Sequence, residues 1–379
     1  MPAVTPGPTD IEATKPPAVR GTEPGMTVRF ASAAEIADWD THVTANPLGG
    51  SFLQSSAFAE TKKHFGWTPR YLVFDGPGVS SYNLVLEKSF PLLGRFWYLV
   101  KGPDAASAHD IPAICTALRA FLAHSKLRVF LIKIEPDLID SAGARSVLQS
   151  AGLVRAFNLM PNDHTVLLDL SPEETQLLRN LPSRGRNAIR RAMREGVEVS
   201  RMELTDSAMR SMYELMSGTI AAKGTAEIRS YDYYRKFWTE FAARGQGQLY
   251  FVFEDGQPAV GAFVINYGRK GTYKDGGSVA RRSRYGDSHL VQWTAINDAR
   301  AKGVTVYDFC GTPPSDRLKD VSHPHYGLGL FKTSFNKKVT DFVGCWDLPV
   351  GPVRYKVWVL AGERVFRQLY TRWTGNQFY

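Results

Sequence analysis

The hydrophobic pattern divides the chain into two halves with the same order of elements. Each half has three strand-like runs, then a helical pattern, then a buried strand. In the first half these lie at 70–74, 81–87, 96–100, 111–124 and 129–134; in the second, at 248–254, 259–267, 271–276, 287–302 and 304–309. This doubled order predicts two α/β domains, each with a mixed sheet covered by helices.

A pair of helices is predicted between the two halves. Ser171-Pro172-Glu173-Glu174 has the features of a helix start, with Ser171 as N-cap and acids in the first turn. A second helix is predicted over Ser183–Glu195, with an apolar stripe formed by Ile189, Ala192 and Met193. The helical segment Tyr231–Ala243 is followed almost directly by the strand at 248. The chain therefore has no room for a long helical arm between these two elements.

The two ends of the chain differ in composition. Residues 1–25 contain six prolines and few large apolar residues, which predicts a disordered tail. Val353–Tyr370 is amphipathic, with its apolar positions at helical spacing: Val357, Leu360, Ala361 and Val365. We therefore expect a first domain over 26–160, completed by 346–379, and a second over 161–345.

The charge of the chain favours anionic partners. The formal net charge is +9, and Arg186, Arg190 and Arg194 recur every four residues along one face of the second helix. Such a face suits non-specific contact with RNA phosphates, although a merely solvated helix face has the same pattern. We find no RNA-reading module, so any RNA contact would depend on shape and charge.

Several classes of site are disfavoured. Cys115, Cys310 and Cys345 are isolated, so neither a metal site nor a disulfide framework is expected. The chain has no phosphate-binding G-K-[ST] loop, no dinucleotide fingerprint and no H-E-x-x-H motif, and we expect no cofactor. No apolar run reaches the length of a membrane span, and no secretory signal is visible, so a cytoplasmic protein is expected.

Four blocks of sequence, in order, resemble the Fem family of aminoacyl-tRNA-dependent transferases, which build peptidoglycan cross-bridges. They are Phe52-Leu53-Gln54-Ser55 with Lys62 and Gly66-Trp67; residues 164–197, with LDLS and R-x-N-x-x-R-x-A; Asp287 to Trp293; and residues 307–335, with YDFCG and GLFKTSF. Together they span about residues 50–347. The resemblance implies two acetyltransferase-like (GNAT) domains, and the short link before residue 248 resembles members that lack a coiled-coil arm.

The resemblance also implies a reaction and a set of residues. In the family, an amino acid esterified to tRNA is transferred to an amine of the precursor stem peptide, so the partners are aminoacyl-tRNA and a lipid-linked or nucleotide-linked precursor, with peripheral membrane contact. Lys332, in F-K-x-x-F, corresponds to a lysine that contacts the precursor phosphate, and Lys62 to one that lines the precursor site. The remaining candidates are Lys223, Tyr234 and Tyr273 for substrate, Asp308 as a base or orienting carboxylate, and Arg186, Arg190 and Arg194 for tRNA.

Two other functions fit the same residues. One is an acyltransferase with another donor, such as acyl-CoA, or with a small-molecule acceptor. Arg281 to Asp287 lies where a coenzyme A loop would lie but lacks its glycines, which disfavours acetyl-CoA. The other is an RNA-binding protein without catalysis.

Overall fold

The computed structural model describes residues 25–379 apart from 77–78, 161–162, 222–227, 364, 367–369, 371 and 373–378. The disordered tail predicted for residues 1–25 lies almost entirely outside this part. The strands are β1 Thr27–Phe30, β2 Thr68–Gly76, β3 Val79–Phe90, β4 Gly94–Leu99, β5 Val129–Ile134, β6 Val154–Arg155, β7 His164–Thr165, β8 Leu167–Asp169, β9 Ser200–Met202, β10 Gly247–Glu254, β11 Gln257–Tyr267, β12 Lys270–Ser278, β13 Val306–Asp308, β14 Thr340–Asp341 and β15 Trp346–Pro349. The helices are α1 Ala33–Ala37, α2 Trp39–Thr44, α3 Ser56–His64, α4 Ile111–Ala123, α5 Ala142–Ser150, α6 Glu174–Asn180, α7 Ser183–Arg194, α8 Asp206–Ala221, α9 Tyr231–Ala243, α10 Asp287–Ala301, α11 Tyr326–Lys332 and α12 Pro352–Val357.

The first sheet has seven strands in the order β1-β2-β3-β4-β5-β15-β6. Strands β4 and β5 are parallel and are joined through α4, whereas the other neighbours are antiparallel. All six residues of β5 are buried, as expected for a strand covered on both faces. Strand β15 lies between β5 and β6, so the chain returns to the first sheet near its C-terminal end.

The second sheet has six strands in the order β8-β13-β12-β11-β10-β9. Its one parallel pair, β12 with β13, is joined through α10, which repeats the connection seen in the first sheet. Strands β7 and β14 form a separate pair. A register shift between β11 and β12 leaves Lys274 as an extra residue, because Phe263 pairs with Asp275 while Val264 pairs with Tyr273.

Three apolar cores give the molecule a layered arrangement. Helices α4 and α5 cover one face of the first sheet, and α7 and α10 cover one face of the second. Between the sheets lies a large aromatic core that also takes side chains from α3, α8 and α9. This central core contains side chains from both sheets. The predicted domain limits, 26–160 with 346–379 and 161–345, stay a prediction.

The predicted mixed α/β architecture is confirmed, and the described residues contain no helix longer than the 16 residues of α8. The predicted N-cap at Ser171 is wrong: α6 begins at Glu174, and the Ser171 hydroxyl donates to the Asp169 carboxylate at 2.9 Å. The stripe predicted for α7 is partly wrong, since Ile189 and Ala192 are buried but Met193 is 45% exposed.

Of the apolar positions predicted in the C-terminal amphipathic segment, Val357, Leu360 and Val365 are exposed. A π-helical turn, Trp358–Gly362, continues α12. Trp358 is buried with aromatic neighbours, whereas Val357 is 50% and Leu360 86% exposed. The core takes the larger aromatic rings, because they bury more surface than the aliphatic side chains. Within the described ranges, no helix has both the length and the apolar character needed to cross a membrane.

Candidate functional site

Four cationic side chains meet at the central aromatic core, near the contact between α3 and α9. Burial lowers the pKa of the Lys62 ammonium well below its usual value, and repulsion by the three other cations lowers it further. These cations are Arg229, Lys88 and Lys274. Lys274 pairs with Asp275 at 2.9 Å. A buried excess of positive charge is costly unless an anion binds there.

Aromatic rings line this cation cluster, which we define as Lys62, Lys88, Arg229 and Lys274. The Lys62 Nζ lies 3.7 Å from the centre of the Tyr379 ring and 5.3 Å from that of Tyr233. Arg229 donates to the main-chain oxygen of Tyr379. Rings stabilise a cation without neutralising it.

The orientation of α3 distinguishes Lys62 from its neighbour in sequence. Ser55 caps the helix with its hydroxyl, which accepts from the main-chain nitrogen of Phe58, and α3 then buries Ala57, Phe58 and Lys62 on one face. Lys62 is 2% exposed, whereas the Lys63 side chain is 63% exposed and lies 3.5 Å from Glu60. The structure therefore directs Lys62, not Lys63, into the cluster.

A second group of residues lies at the end of β13, beside Lys274. The Lys332 Nζ donates to the main-chain oxygens of Cys310 and Gly311 at 2.9 and 2.8 Å, and lies 5.8 Å from the centre of the Tyr273 ring. Lys332 is the last residue of α11 and is 6% exposed. The structure thus holds this amine in one position.

Asp308 organises the loop that follows β13. Its carboxylate accepts from the main-chain nitrogen of Cys310 at 2.7 Å and from the Thr165 hydroxyl. Burial raises the pKa of the Cys310 thiol to about 12, so the sulfur is a neutral thiol at pH 7 and a weak nucleophile. Asp308 therefore orients the loop whose carbonyls hold Lys332.

A buried carboxylate lies on the first sheet's side of the same region. Glu135, at the end of β5, is 1% exposed, and burial raises its pKa. The Tyr98 hydroxyl donates to Oε2 at 2.5 Å. Within the described residues, Oε1 accepts no hydrogen bond and lies 3.8 Å from the Lys101 ammonium. This oxygen has the capacity to accept one more proton donor.

A model of the acetyltransferase (GNAT) domain matches residues 183–320. Lipid II:glycine glycyltransferases of Staphylococcus aureus and Staphylococcus saprophyticus are each 22% identical, over 84% of this chain and 92% of their own length. The crystal structure of FemX is 20% identical and superimposes with a TM-score of 0.73, covering 87% of this chain and 99% of that one.

The chain is similar in sequence to these glycyltransferases and in fold to FemX. The resemblance seen in its sequence blocks is confirmed, and so is the expected fold of two acetyltransferase-like domains, each a mixed sheet covered by helices, without a helical arm in the described part of the chain.

The arginines of α7 differ in their surroundings. Arg186 is half-buried and donates to the main-chain oxygens of Arg179 and Leu181 at 2.8 and 3.1 Å, where it caps the end of α6. Arg190 and Arg194 are exposed. Arg186 also lines a cavity of about 540 Å³ together with Arg179 and Lys337. Arg186 is therefore engaged within the protein, and Arg190 and Arg194 are the exposed residues of the face predicted to contact RNA.

The loop 279–286 extends this basic face. Arg281 and Arg284 are exposed, and the Arg191 guanidinium lies 5.0 Å from the centre of the Tyr285 ring, which is 49% exposed. Exposed guanidinium groups beside an aromatic ring suit a nucleic-acid backbone and its bases.

The other residues predicted to bind substrate are Lys223, Tyr234 and Tyr273. Lys223 lies outside the described residues. Tyr234 packs between Tyr213 and Trp238, at ring distances of 5.9 and 5.3 Å, and burial raises the pKa of its hydroxyl. The Tyr273 hydroxyl lies so close to Gly276 that a Cβ there would be 1.7 Å away, which restricts position 276 to glycine.

Sequence reasoning missed Arg229, Lys88 and Glu135. Arg229 lies two residues before α9, a short distance beyond the Lys223 that the motif favoured. Glu135 ends the fully buried β5, and a carboxylate directly after six buried residues was an available signal. Lys88 had no such signal, because alternation within β3 does not distinguish a solvent-facing lysine from one that faces another element.

Proposed function

We propose that this chain transfers an amino acid from an aminoacyl-tRNA to the stem-peptide amine of a peptidoglycan precursor. The observation that carries the proposal is the cation cluster, which provides buried positive charge beside the Lys332 and Glu135 groups. Aminolysis of an ester is downhill, so the enzyme needs to hold the two substrates together, remove a proton and stabilise an oxyanion.

The cation cluster is the proposed binding site for the precursor's diphosphate. Lys62 is buried without an acidic partner among the described residues, and a bound diphosphate would supply the missing negative charge. The staphylococcal relatives are lipid II:glycine glycyltransferases, so a lipid-linked precursor and glycine are the first acceptor and amino acid to test. We assign Tyr273 and Tyr234 to supporting positions around the acceptor.

Lys332 and Glu135 are the proposed reacting groups near the amine. Lys332 presents a cation fixed by two carbonyls, which suits a phosphate oxygen or a developing oxyanion. Glu135, with its raised pKa and an Oε1 that accepts no hydrogen bond from the described residues, suits removal of the amine proton, because a base is most effective when its pKa approaches the working pH. Asp308 acts through the loop that it orients and is a positioning residue.

The exposed arginines of α7 and the 279–286 loop are the proposed contact for the donor tRNA. Their position on the outer side of α7 leaves a long basic surface for a phosphate backbone. A reaction that uses charged tRNA takes place in the cytoplasm, which agrees with the location expected from the sequence.

An acyl-CoA-dependent transfer is the second candidate function, favoured by the match of residues 183–320 to the acetyltransferase domain. The loop before α10 reads Val-Ala-Arg-Arg-Ser-Arg-Tyr-Gly, with a single glycine at position 286. A loop that binds a pyrophosphate through its main-chain nitrogens needs several glycines. The single glycine of this loop therefore disfavours acyl-CoA as the donor.

The decisive experiment supplies purified protein with radiolabelled aminoacyl-tRNAs, one at a time, and with either a lipid-linked or a nucleotide-linked precursor. The proposal expects label in the precursor with at least one charged tRNA. Transfer from acetyl-CoA, together with none from any charged tRNA, would overturn it in favour of the second candidate. RNA binding without transfer to any acceptor would leave a non-catalytic RNA-binding protein.

A further inference from the structure

An apolar patch lies on the outer side of the C-terminal helical segment. We define the C-terminal patch as Leu92, Val353, Val357 and Leu360, which are 93%, 75%, 50% and 86% exposed. Val353 and Val357 lie at i and i+4 on α12, so they share one face of the helix, and Leu360 lies in the π-helical turn that continues it. Contiguous aliphatic exposure of this kind marks a contact surface.

Leu92 lies in a turn that contacts the C-terminal helix. It lies in the turn between β3 and β4 and has a φ of +67°, which is unusual for leucine. The Arg354 guanidinium donates to the main-chain oxygen of the adjacent Leu93 at 3.1 Å, so the turn lies against the first turn of α12. The turn and the helix therefore present their aliphatic side chains together.

Basic residues border the patch. Lys356 is exposed on α12, and residues 352–360 contain no Asp or Glu. The loop before β5 contributes exposed Lys126 and Arg128, and the main-chain oxygen of Arg128 accepts from Arg95 at 2.8 Å, beside the β3–β4 turn. Exposed aliphatic side chains with a cationic border are complementary to an anionic lipid surface.

The inner side of the same segment faces the cation cluster. Trp358 packs on Phe90 at a ring distance of 4.8 Å, and the Lys88 Nζ lies 4.1 Å from the centre of the Tyr370 ring. A helix is about 10 Å in diameter with its side chains, so the patch and the cluster are separated by roughly one helix.

We propose that the C-terminal patch is a docking surface for an anionic phospholipid bilayer. When the patch is docked on the bilayer, the cation cluster lies at the level of the lipid headgroups, where the diphosphate of a lipid-linked acceptor lies. The membrane contact stands on the geometry of the patch itself, whereas its link to a lipid-linked acceptor rests on the proposed function.

The test measures cosedimentation of the full chain with vesicles of phosphatidylcholine alone and of phosphatidylcholine with phosphatidylglycerol. Leu360→Glu should weaken binding to the anionic vesicles by about ten- to hundred-fold, since a leucine no longer enters the bilayer. Lys356→Gln should weaken it by about fivefold. Val321→Glu is the matched control, because Val321 is 76% exposed but lies in the loop before α11, and it should bind as the wild type does.

Three outcomes would overturn the proposal. They are a wild-type chain that does not bind anionic vesicles, a folded Leu360→Glu variant with unchanged binding, and a wild-type dimer that Leu360→Glu dissociates without any vesicle binding. The last outcome would assign the patch to a second copy of the chain. Melting temperatures should be equal in all variants, because the altered side chains are exposed.

Transfer assays separate this proposal from the proposed function. Leu360→Glu should reduce transfer to a lipid-linked precursor in vesicles while leaving transfer to a water-soluble, nucleotide-linked precursor unchanged. Vesicle binding without transfer to any acceptor would overturn the proposed function and support the surface. Transfer to a soluble acceptor without vesicle binding would support the proposed function and overturn the docking surface.

Discussion

Replacing Lys62 by methionine should raise or preserve the stability of the protein while weakening its binding of the acceptor. Lys62 is 2% exposed, and both burial and repulsion by neighbouring cations oppose its charge. Methionine has a similar volume and no charge, so it removes this opposition without leaving a cavity. We expect an unfolding free energy equal to or higher than that of the wild type.

The stability difference should depend on pH in a defined direction. The ordinary pKa of lysine is 10.5, and that of Lys62 in the folded protein is well below it. Between these two values the unfolded chain binds more protons than the folded one, so wild-type stability rises with pH. The advantage of Lys62→Met should therefore be greatest below the folded pKa and should disappear as the pH approaches about 10.5.

The loss of acceptor binding can be estimated from the geometry. A phosphate oxygen about 4 Å from the ammonium, at an effective dielectric constant of about 20, interacts with it by about 4 kcal/mol, which is an upper value. A hydrogen bond between charged groups contributes about 1.5–3 kcal/mol net. Lys62→Met should therefore weaken binding of the acceptor or of inorganic pyrophosphate by about ten- to hundred-fold.

Two measurements check this prediction. Isothermal titration with pyrophosphate and with a precursor gives the affinity, and thermal unfolding across pH gives the stability difference. Lys63→Met is the matched control, because that side chain is 63% exposed on the same helix and should change neither quantity much. Equal losses of affinity in both variants, or unchanged affinity in a folded Lys62→Met variant, would refute the reasoning.

Four other changes have defined outcomes. Replacing Arg190 and Arg194 by Glu should raise the Michaelis constant for charged tRNA and lower the salt dependence of tRNA binding, while the precursor constant stays the same. Lys332→Ala should lower turnover strongly and, because two carbonyls lose their donor, should also cost roughly 1–3 kcal/mol of stability in a melting experiment. Glu135→Gln should lower turnover and flatten its dependence on pH, with precursor affinity retained. His289→Gln should remove the loss of stability on acidification from about pH 6.5 towards pH 4, because burial lowers the pKa of His289 from 6.5 to about 4 and the unfolded chain takes up the proton first.

Each of these changes also has a result that would contradict it. An unchanged salt slope in the arginine variant would place tRNA elsewhere. Wild-type kinetics after Lys332→Ala would reduce that lysine to a structural role, and an unaltered pH profile after Glu135→Gln would exclude the carboxylate as the base. If the acid sensitivity of the wild type persists in His289→Gln, another group controls it.

The sequence by itself determined the elements and the fold class. Strand β5 and helix α10 were visible because hydrophobic periodicity is local and survives without neighbours. Its motifs also predicted Lys62 and Lys332 as residues that bind the precursor. Its helix start at Ser171 was wrong: α6 begins at Glu174, and the Ser171 hydroxyl donates to the Asp169 carboxylate.

Only the tertiary structure decided which cations form a site. Lys62, Lys88 and Arg229 are far apart in sequence and lie on α3, on β3 and just before α9, so their convergence depends on how the two sheets pack. The C-terminal segment shows the same limit. Its periodicity predicted an apolar face, but the aromatic rings of Trp358 and its neighbours took the core and left Leu360 outside. Periodicity shows that a helix has two faces, and competition for buried volume decides which one the protein covers.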